Sequence, residues 1–593
     1  MIAHVVPLRR LPTERSWFDY RLPEELVAPP GSVVQVPFGR QLVNAVVWAV
    51  DAETDQANLK DVAGVIIAEP YVTPWLRQAL NTLAAEYFVS LGTLLASAVP
   101  AVLKRQKADE PMVLDAQQIR GESSSHYERV WWYRDRQQCL RDELTWLLKD
   151  DALRAICFPT IEDVTEAVQA LGPEAGSVAV VHSQITERDY RRLYDAVRRG
   201  HIKKIMGTGR VFFLPYPEEP GFLLDQEEHP AHRQTEQHPR FDNRQTVFCL
   251  RPQAILTSPA PSIATMRARR PSPPSFQGTR QLVPLGQPGS RDWLTPDAEA
   301  LITTALGQGQ HIWAIVPHAG FAQRLACKEC GWTLDCPQCK QRVRLAHHHG
   351  TSADCQACGA SVKVPTQCPR CQSTRWALSG LGVEQFMQTL RRRWPQVTVT
   401  APEAVSATQP SVIVGTYQSH RQRRQSGIRG PVLIVSGDAL LSYPDFSVSE
   451  RAWAYMARIQ ADQPESPVIV QTYEPELPFW QRWRHGDDRT WYEDELTQRE
   501  QQALPPYAQQ WIVYCPGADQ KTLEAKQHEV ASMLPPNITL SVLSAPTQRR
   551  FQRTAGRLLL QAKVGIDLRA ALDWPSIFPS PWQIDTAIRG WSE

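Results

Sequence analysis

Four Cys-x2-Cys pairs crowd the middle of the chain: Cys327/Cys330, Cys336/Cys339, Cys355/Cys358 and Cys368/Cys371. A pair at that spacing sets two sulfurs on one tight turn, and two such pairs close a tetrahedral shell around Zn2+. Eight thiolates predict two structural zinc ions per chain, with no coordination position left open for catalysis. Gly331 and Gly359 follow the second cysteine of their pairs, where a knuckle turn needs permissive backbone angles. A redox dithiol or a disulfide scaffold is the competing reading. It fits poorly with eight of twelve cysteines in one short block and a start lacking an apolar signal-peptide core.

These thiolates sit in an otherwise ordinary globular composition. The chain has 593 residues, 42% of them hydrophobic and 21% charged, which predicts roughly three to five domains. No stretch reaches membrane-spanning length, so a cytosolic protein with no membrane partner is expected. The net charge of +2 does not by itself predict a polyanionic ligand. Local arginine clusters occur at Arg391–Arg393, at Arg421, Arg423 and Arg424, and at Arg549, Arg550 and Arg553. Each alone reads first as a solvated face, not as a nucleic-acid groove.

Residues 1 to about 100 open with short alternating runs, Gly31 to Pro37 and Leu42 to Val50, and predict a small β-rich domain followed by helical spacing from Thr73 to Ala98. Lys104 to Ser125 reads as a linker, and Tyr127 to Leu148 as a compact winged-helix-like segment. Residues 154–262 read as α/β, with strand text at Ser177–Val181, Phe222–Leu224 and Ala254–Leu256. Arg267 to Asp292 is rich in Pro, Ser and Gly and reads as a connector. A second α/β unit begins at Thr295, is interrupted by the cysteines, and resumes through Gly382–Trp394, Ser411–Val414, Pro431–Val435 and Val468–Gln471. The last section mixes strands (Trp511–Tyr514, Ile538–Val542, Leu558–Ala562) with a helix at Lys521–Leu534.

Taken in order, these pieces resemble the PriA family of primosomal replication-restart proteins over essentially the whole chain. Trp17-Phe18-Asp19-Tyr20, the Pro37-Phe38-Gly39-Arg40 turn and Lys60 resemble that family's domain for the 3′ end of a nascent strand. The resemblance implies that Phe18, Asp19, Gly39 and Lys60 line a DNA-end pocket. Chemically, Phe18 could stack on a base, Lys60 pair with a phosphate and Asp19 accept from a 3′-OH. Val181-His182-Ser183, Glu187-Arg188, Gly207-Thr208-Gly209-Arg210, Phe213-Leu214-Pro215, Glu227-Glu228-His229, Pro239-Arg240-Phe241 and Ser258 to Ser262 resemble motifs of the first helicase domain. Gly415-Thr416-Tyr417-Gln418, Asp438, Pro444-Asp445-Phe446 and Glu450-Arg451 resemble those of the second. Leu504-Pro505-Pro506-Tyr507 and Leu543 to Pro546 are similar to the family's last domain, whose closing motif is altered here to Ile584-Asp585-Thr586-Ala587. The resemblance further implies nested metal sites, with Cys327, Cys330, Cys368 and Cys371 on one ion and Cys336, Cys339, Cys355 and Cys358 on the other. His347, His348 and His349 then read as loop residues.

The family's ATPase machinery is degraded. A phosphate loop needs GxxxxGK[ST], whose amides, lysine and hydroxyl hold the phosphates and Mg2+. No Gly-Lys dipeptide occurs in the chain, and the expected place reads Ala155-Ile-Cys157-Phe158-Pro159-Thr160-Ile-Glu162-Asp163. At the Walker B position the carboxylate becomes Gln226, a poor Mg2+ ligand. Asp225 should point to the opposite face of the strand. Where the family places its finger arginines, Asp462 occupies the first position; such arginines supply roughly 10^3 to 10^5 in rate. Gln234, His318 and Ala319 replace further basic positions. Gln226, Glu227, His229 and Asp462 therefore mark a degenerate ATPase site with no catalytic residue, and ATP with Mg2+ remains only an inherited ligand.

The expectation is a multidomain α/β protein. It comprises a 3′-DNA-end-binding domain (1–103), a linker with a winged-helix-like segment (104–153) and degenerate RecA-like helicase domain 1 (154–266). Helicase domain 2 (293–326 and 372–495) is interrupted by a two-zinc module (327–371), and a C-terminal α/β domain (500–593) follows. It would act in the cytoplasm, at the nucleoid, recognising stalled or branched forks and recruiting helicase-loading proteins, with single-stranded-DNA-binding protein as a further partner. An active ATP-dependent 3′-to-5′ helicase is the alternative, and a zinc-bearing structural partner with no fork preference is a third reading.

Overall fold

The computed structural model describes residues 1–11, 17–54, 56, 58–104, 130–235, 238–275, 278–286, 293–317, 324–327, 329–330, 332–337, 343–345, 352–355, 361–379, 381–406, 408–442, 445–516, 518, 520–543 and 555–586. The architecture is multidomain α/β. Five antiparallel strands open the chain: β1 (Ile2–Pro7), β2 (Phe18–Arg21), β3 (Val33–Phe38), β4 (Gln41–Asp51) and β5 (Gly64–Ile67), in the order β2-β1-β4-β3-β5. Alternation divides their apolar residues between two faces. Val6, Val33, Val46 and Trp48 pack with helices α1 (Pro74–Glu86) and α2 (Leu91–Ala98), while Val5, Tyr20, Val34 and Val47 form a smaller core on the other side. Thr73 and Ser90 cap these helices through their hydroxyls.

The first α/β unit runs through β6 (Val130–Trp132), α3 (Arg136–Leu148), β7 (Arg154–Cys157), α4 (Ile161–Leu171), β8 (Ala179–Val181), α5 (Glu187–Arg198), β9 (Lys204–Gly207), β10 (Gly221–Leu224), α6 (Asn243–Leu250), β11 (Ile255–Ser258) and α7 (Ile263–Arg269). Its sheet is parallel, in the order β6-β11-β10-β7-β9-β8. Ala155, Ile156, Cys157, Phe222, Leu223 and Leu224 are all buried, as continuous apolar text predicts for strands covered on both faces. Gly207 is required here because a Cβ would collide with the Val181 carbonyl oxygen.

The winged-helix-like reading of 104–153 is corrected: β6 is an edge strand of this sheet, paired in parallel with β11, and residues 105–129 lie outside the described set. Its aromatic text packs onto the unit it belongs to, with the Trp132 indole donating to the Pro259 carbonyl at 3.0 Å. The connector reading of 267–292 is corrected too, since Arg280–Pro284 forms β12, an edge strand of the second sheet.

That second sheet orders as β12, β22 (Val468–Thr472), β21 (Val432–Ile434), β13 (Ile312–Val316), β20 (Ser411–Thr416) and β19 (Thr398–Thr400), again parallel. Helices α8 (Pro296–Gly307), α9 (Val383–Arg393), α10 (His420–Ser426), α11 (Val448–Asp462), α12 (Pro478–His485) and α13 (Asp488–Gln501) accompany it. The cysteine module is inserted between β13 and α9. It carries the antiparallel pair β14 (Arg324–Cys327) and β18 (Trp376–Ser379) and a small sheet of β15 (Val343–Leu345), β16 (Ser352–Cys355) and β17 (Ser361–Lys363). The C-terminal domain has β23 (Gln510–Pro516), α14 (Gln520–Ala531), β24 (Ile538–Leu543), β25 (Ala555–Ala562) and β26 (Gln583–Asp585). Among the described residues no helix is long and apolar enough to cross a membrane.

Candidate functional site

Between β7 and α4, where a phosphate loop would turn, only Phe158, Pro159 and Thr160 connect strand to helix. Three residues cannot wrap a row of backbone amides around a phosphate. The helix N-terminus is instead satisfied internally. The Thr160 hydroxyl accepts from the Asp163 N–H at 3.2 Å and donates to the Asp163 carboxylate. That carboxylate meets the guanidinium of Arg424, which comes from α10 of the other α/β unit and also reaches Glu166 at 3.2 Å. Burial acts to raise the Asp163 pKa, but Arg424 and the Thr160 hydroxyl outweigh it and bring the carboxyl down to about 2.

Behind this pair lies a buried network. Arg136 grips Asp225 with two hydrogen bonds of 2.8 and 3.0 Å and approaches Glu143 at 3.3 Å. The Thr257 hydroxyl lies 2.7 Å from Glu143 and 3.1 Å from Asp225. Burial, reinforced by the Asp225 charge and opposed by Arg136, pushes Glu143 up to about 8. Near neutral pH the network thus carries one ion pair, Arg136 with Asp225, beside a protonated Glu143.

The sequence expectation that Asp225 faces the opposite side of a continuous strand is corrected. Strand β10 ends at Leu224, and Gln226 takes a left-handed backbone (φ +48°), so simple alternation does not continue. Asp225 is engaged by protein groups. Its oxygens are held by Arg136, Thr257 and the Gln226 side-chain amide at 3.0 Å.

The other positions singled out from the sequence for a nucleotide site also make protein contacts. Glu227 accepts from the Ser262 N–H at 2.6 Å and its hydroxyl at 3.0 Å, with Arg244 at 3.4 Å. His229 Nδ1 accepts from the Ala231 N–H and caps a short turn. Asp462 is buried, 3.8 Å from Arg423, and burial raises its carboxyl pKa. Arg423 donates to the Ile459 carbonyl at 3.2 Å. The cluster that reads as a solvated basic face therefore contributes two of its arginines to the protein interior.

Further contacts seam the two units together. Arg458 reaches Glu228 at 3.1 Å; burial raises Glu228 to about 7, with Arg458 opposing. The Ile263 N–H donates to Glu450 at 3.0 Å, and the Tyr492 hydroxyl to the Pro261 carbonyl at 2.6 Å. Arg134 pairs with Asp488. A cavity of about 1060 Å³ stays open, lined by Trp131, Arg134, Gln138, Arg429, Gln463 and Glu465 among others. Asp462 lines it, whereas Asp163 and Asp225 do not.

In the cysteine module, β14 and β18 bring the outer pairs together. Cys327, Cys330, Cys368 and Cys371 place all four sulfurs within 4.8 Å of one another, with Cys327–Cys371 at 3.4 Å and Cys330–Cys368 at 3.6 Å. Sulfurs 2.3 Å from a tetrahedral zinc stand about 3.8 Å apart, so this four-cysteine cluster fits a metal ion. Two zinc sites were expected; the described residues contain this one. Cys336 is buried, while the side chains of Cys339, Cys355 and Cys358, like His347–His349, lie outside the described residues. The same holds for His318, Ala319 and Arg549, Arg550 and Arg553.

In the N-terminal domain the four expected pocket residues divide. Phe18 is half-buried and meets Phe38 edge-on at 5.0 Å, next to Gly39, whose turn uses φ +63°. Lys60 is exposed, and its carbonyl accepts from the Arg21 N–H at 2.9 Å. Asp19, one residue along β2 from Phe18, takes the other face. There it accepts from His4 Nδ1 at 2.7 Å and from the Thr54 hydroxyl at 2.5 Å. His4 Nε2 lies 2.8 Å from Asp51. Burial acts to lower the His4 pKa, and the hydrogen bonds to Asp19 and Asp51 outweigh it, so the value is raised. His4, Thr54 and Asp51 were not singled out from the sequence. Cross-strand pairing of His4 with Asp19 is visible only once β1 and β2 are in register.

Residues 5–100 match the model of the PriA 3′ DNA-binding domain. The replication restart protein PriA of Haemophilus influenzae is 21% identical over 96% of this chain and 96% of its own length. That of Rickettsia felis is 20% identical over 95% of both chains, and that of Bacillus subtilis is 22% identical over 59% of this chain and 48% of its own. Over nearly its whole length, then, the chain is similar to replication restart proteins PriA at about a fifth identity, and its N-terminal domain matches their 3′ DNA-binding domain.

Proposed function

We propose that this protein recognises branched DNA in replication restart and recruits helicase-loading partners without hydrolysing ATP. The observation that carries the second half is the cross-cleft pair of Arg424 with Asp163, seated where nucleotide phosphates would meet the helix after β7. An anionic triphosphate entering there would have to displace a buried ion pair and face Asp163 and Glu166. The Walker B and finger positions offer it Gln226 and Asp462 in place of a magnesium ligand and an arginine. The fork-recognition half rests on the match to a 3′ DNA-binding domain and on the relatives that carry the replication-restart name.

The four-cysteine cluster is assigned a structural Zn2+, and Cys336, Cys339, Cys355 and Cys358 a second. Bound structural zinc contributes about 10 to 16 kcal/mol of apparent binding energy in small modules, which is ample to hold this insertion folded. Helicase-loading proteins and single-stranded-DNA-binding protein are the proposed protein partners.

The test is ATP hydrolysis and Mg-ATP binding by the zinc-loaded chain, with and without a fork bearing an arrested 3′ end. Rates equal to a protein-free control, with forks bound more tightly than linear duplex, are expected. Fork-stimulated turnover above background would refute the loss of activity. Equal affinity for fork and duplex would refute fork recognition.

A further inference from the structure

The geometry points to Trp17 as the residue that stacks on the terminal base of a captured DNA 3′ end, acting on the same strand face as Asp19. We propose this as an extension of the end-capture reading, on which it rests.

Phe18 is the aromatic that the sequence suggests for stacking. In the structure its ring packs edge-on against Phe38 and covers the small core of Val5, Tyr20 and Val36. A base could reach it only by displacing that packing. Trp17 is 52% exposed, one of few large hydrophobic side chains so open among the described residues. Asp19 and Arg21 share one face of β2 and Phe18 and Tyr20 the other, and Trp17, immediately before the strand, is placed with the Asp19 face by its contact with His4. The Trp17 ring meets the His4 ring edge-on at 6.4 Å, and His4 holds Asp19.

The Asp19 carboxylate has capacity left for a ligand. Two oxygens offer about four acceptor sites, and His4 and Thr54 engage one on each oxygen. These two donors fix the carboxylate in one orientation, which makes His4 a positioning residue. A base lying on the indole would be seated beside the carboxylate that accepts its 3′-hydroxyl. Arg21, next on that face and 3.3 Å from Asp61, supplies a guanidinium for the phosphate behind it.

The experiment compares forks whose arrested strand ends in a normal nucleotide, an abasic nucleotide or a 3′-phosphate, titrated with the full zinc-loaded chain. Wild type should bind the abasic end about tenfold more weakly, within the range of one base stacked on an aromatic ring. Trp17→Ala should bind normal and abasic ends equally while still preferring 3′-OH to 3′-phosphate. Trp17→Phe should restore part of the abasic penalty, and Phe18→Leu should keep it. A full abasic penalty in Trp17→Ala, or its loss in a folded Phe18→Leu, overturns the assignment. If wild type does not distinguish 3′-OH from 3′-phosphate, end capture itself fails and the assignment falls with it.

Discussion

Replacing Arg424 by methionine removes the cation that spans the cleft and leaves Asp163 buried, its side chain only 3% exposed. Two lines give the size of the effect. The Asp163 carboxyl is lowered from 3.8 to about 2, close to two pH units at about 1.4 kcal/mol each, or roughly 2 to 3 kcal/mol. Breaking a buried pair by removing one partner costs about 3 to 5 kcal/mol, because the remaining charge is stranded. The second figure is the larger because it includes the lost interactions of Arg424 with Glu166 and with its packing neighbours. About 3 kcal/mol is therefore expected for Arg424→Met at pH 7. In Arg424→Met/Asp163→Asn the stranded charge is gone, so most of the loss should be recovered. A depressed carboxylate stabilises the fold above its unfolded pKa and loses that contribution as pH falls toward the folded value. The wild-type advantage over Arg424→Met should accordingly shrink between about pH 4 and pH 2. Amide hydrogen exchange in α4 and α10 reads the local opening directly and avoids treating a multidomain chain as one two-state unit. Equal losses in the single and double variants would show that the pair is not coupled and would refute this account of the closed cleft.

Cys339→Ser should remove one zinc per chain and loosen the inner knuckle, measured by metal analysis together with fork binding; unchanged zinc content and binding would count against the second site. His4 has a raised pKa, so its bridge between Asp19 and Asp51 is fully present below about 6.5 and is lost as pH rises through the folded value. A neutral ring has one N–H and cannot donate to both carboxylates. Melting of the N-terminal domain should therefore depend on pH across that window in wild type and much less in His4→Gln, which thermal unfolding from about pH 5.5 to 8.5 would reveal. Glu143, raised to about 8, favours the fold while protonated, and that advantage fades as pH climbs from its ordinary value of 4.5 through 8. Glu143→Gln should then gain stability relative to wild type as pH rises, and an opposite trend in denaturant melts would show that Glu143 is ionised in the fold.

How much of this was legible depended on how local the governing interaction was. The cysteine pairs could be read because ligand spacing is a short-range property, and the parallel strands because burial on both faces leaves unbroken apolar text. Strand β6 was missed because Val130–Trp132 is short and its partner, β11, lies more than a hundred residues away. The orientation of Asp225 was missed because Gln226, a residue with no special liking for left-handed angles, turns there under tertiary constraint. Arg424 looked like one member of a solvated basic run, since its partners Asp163 and Glu166 belong to the other unit. Around β2, i,i+2 spacing could have paired Trp17 with Asp19. The family pattern drew attention to Phe18 instead, whose ring the fold uses for packing.

The closed cleft also bears on what such a pair of α/β units can do. A motor uses nucleotide as a ligand with different affinity for open and closed arrangements, so that binding and hydrolysis shift the population between them. Here the contacts favouring closure, Arg424 with Asp163, Arg458 with Glu228 and Glu450 with the Ile263 amide, are supplied by the chain itself. A contact made by covalently attached side chains is not released at the end of a cycle, so these interactions cannot drive reopening as product release does. Restoring a phosphate loop would not be enough on its own, because a helix already capped by Thr160 and paired through Asp163 would oppose the phosphates. The same contacts suit a different task. On the proposed reading they restrain the two α/β units against each other, and such restraint lowers the ordering cost of contacting one branched structure at several points.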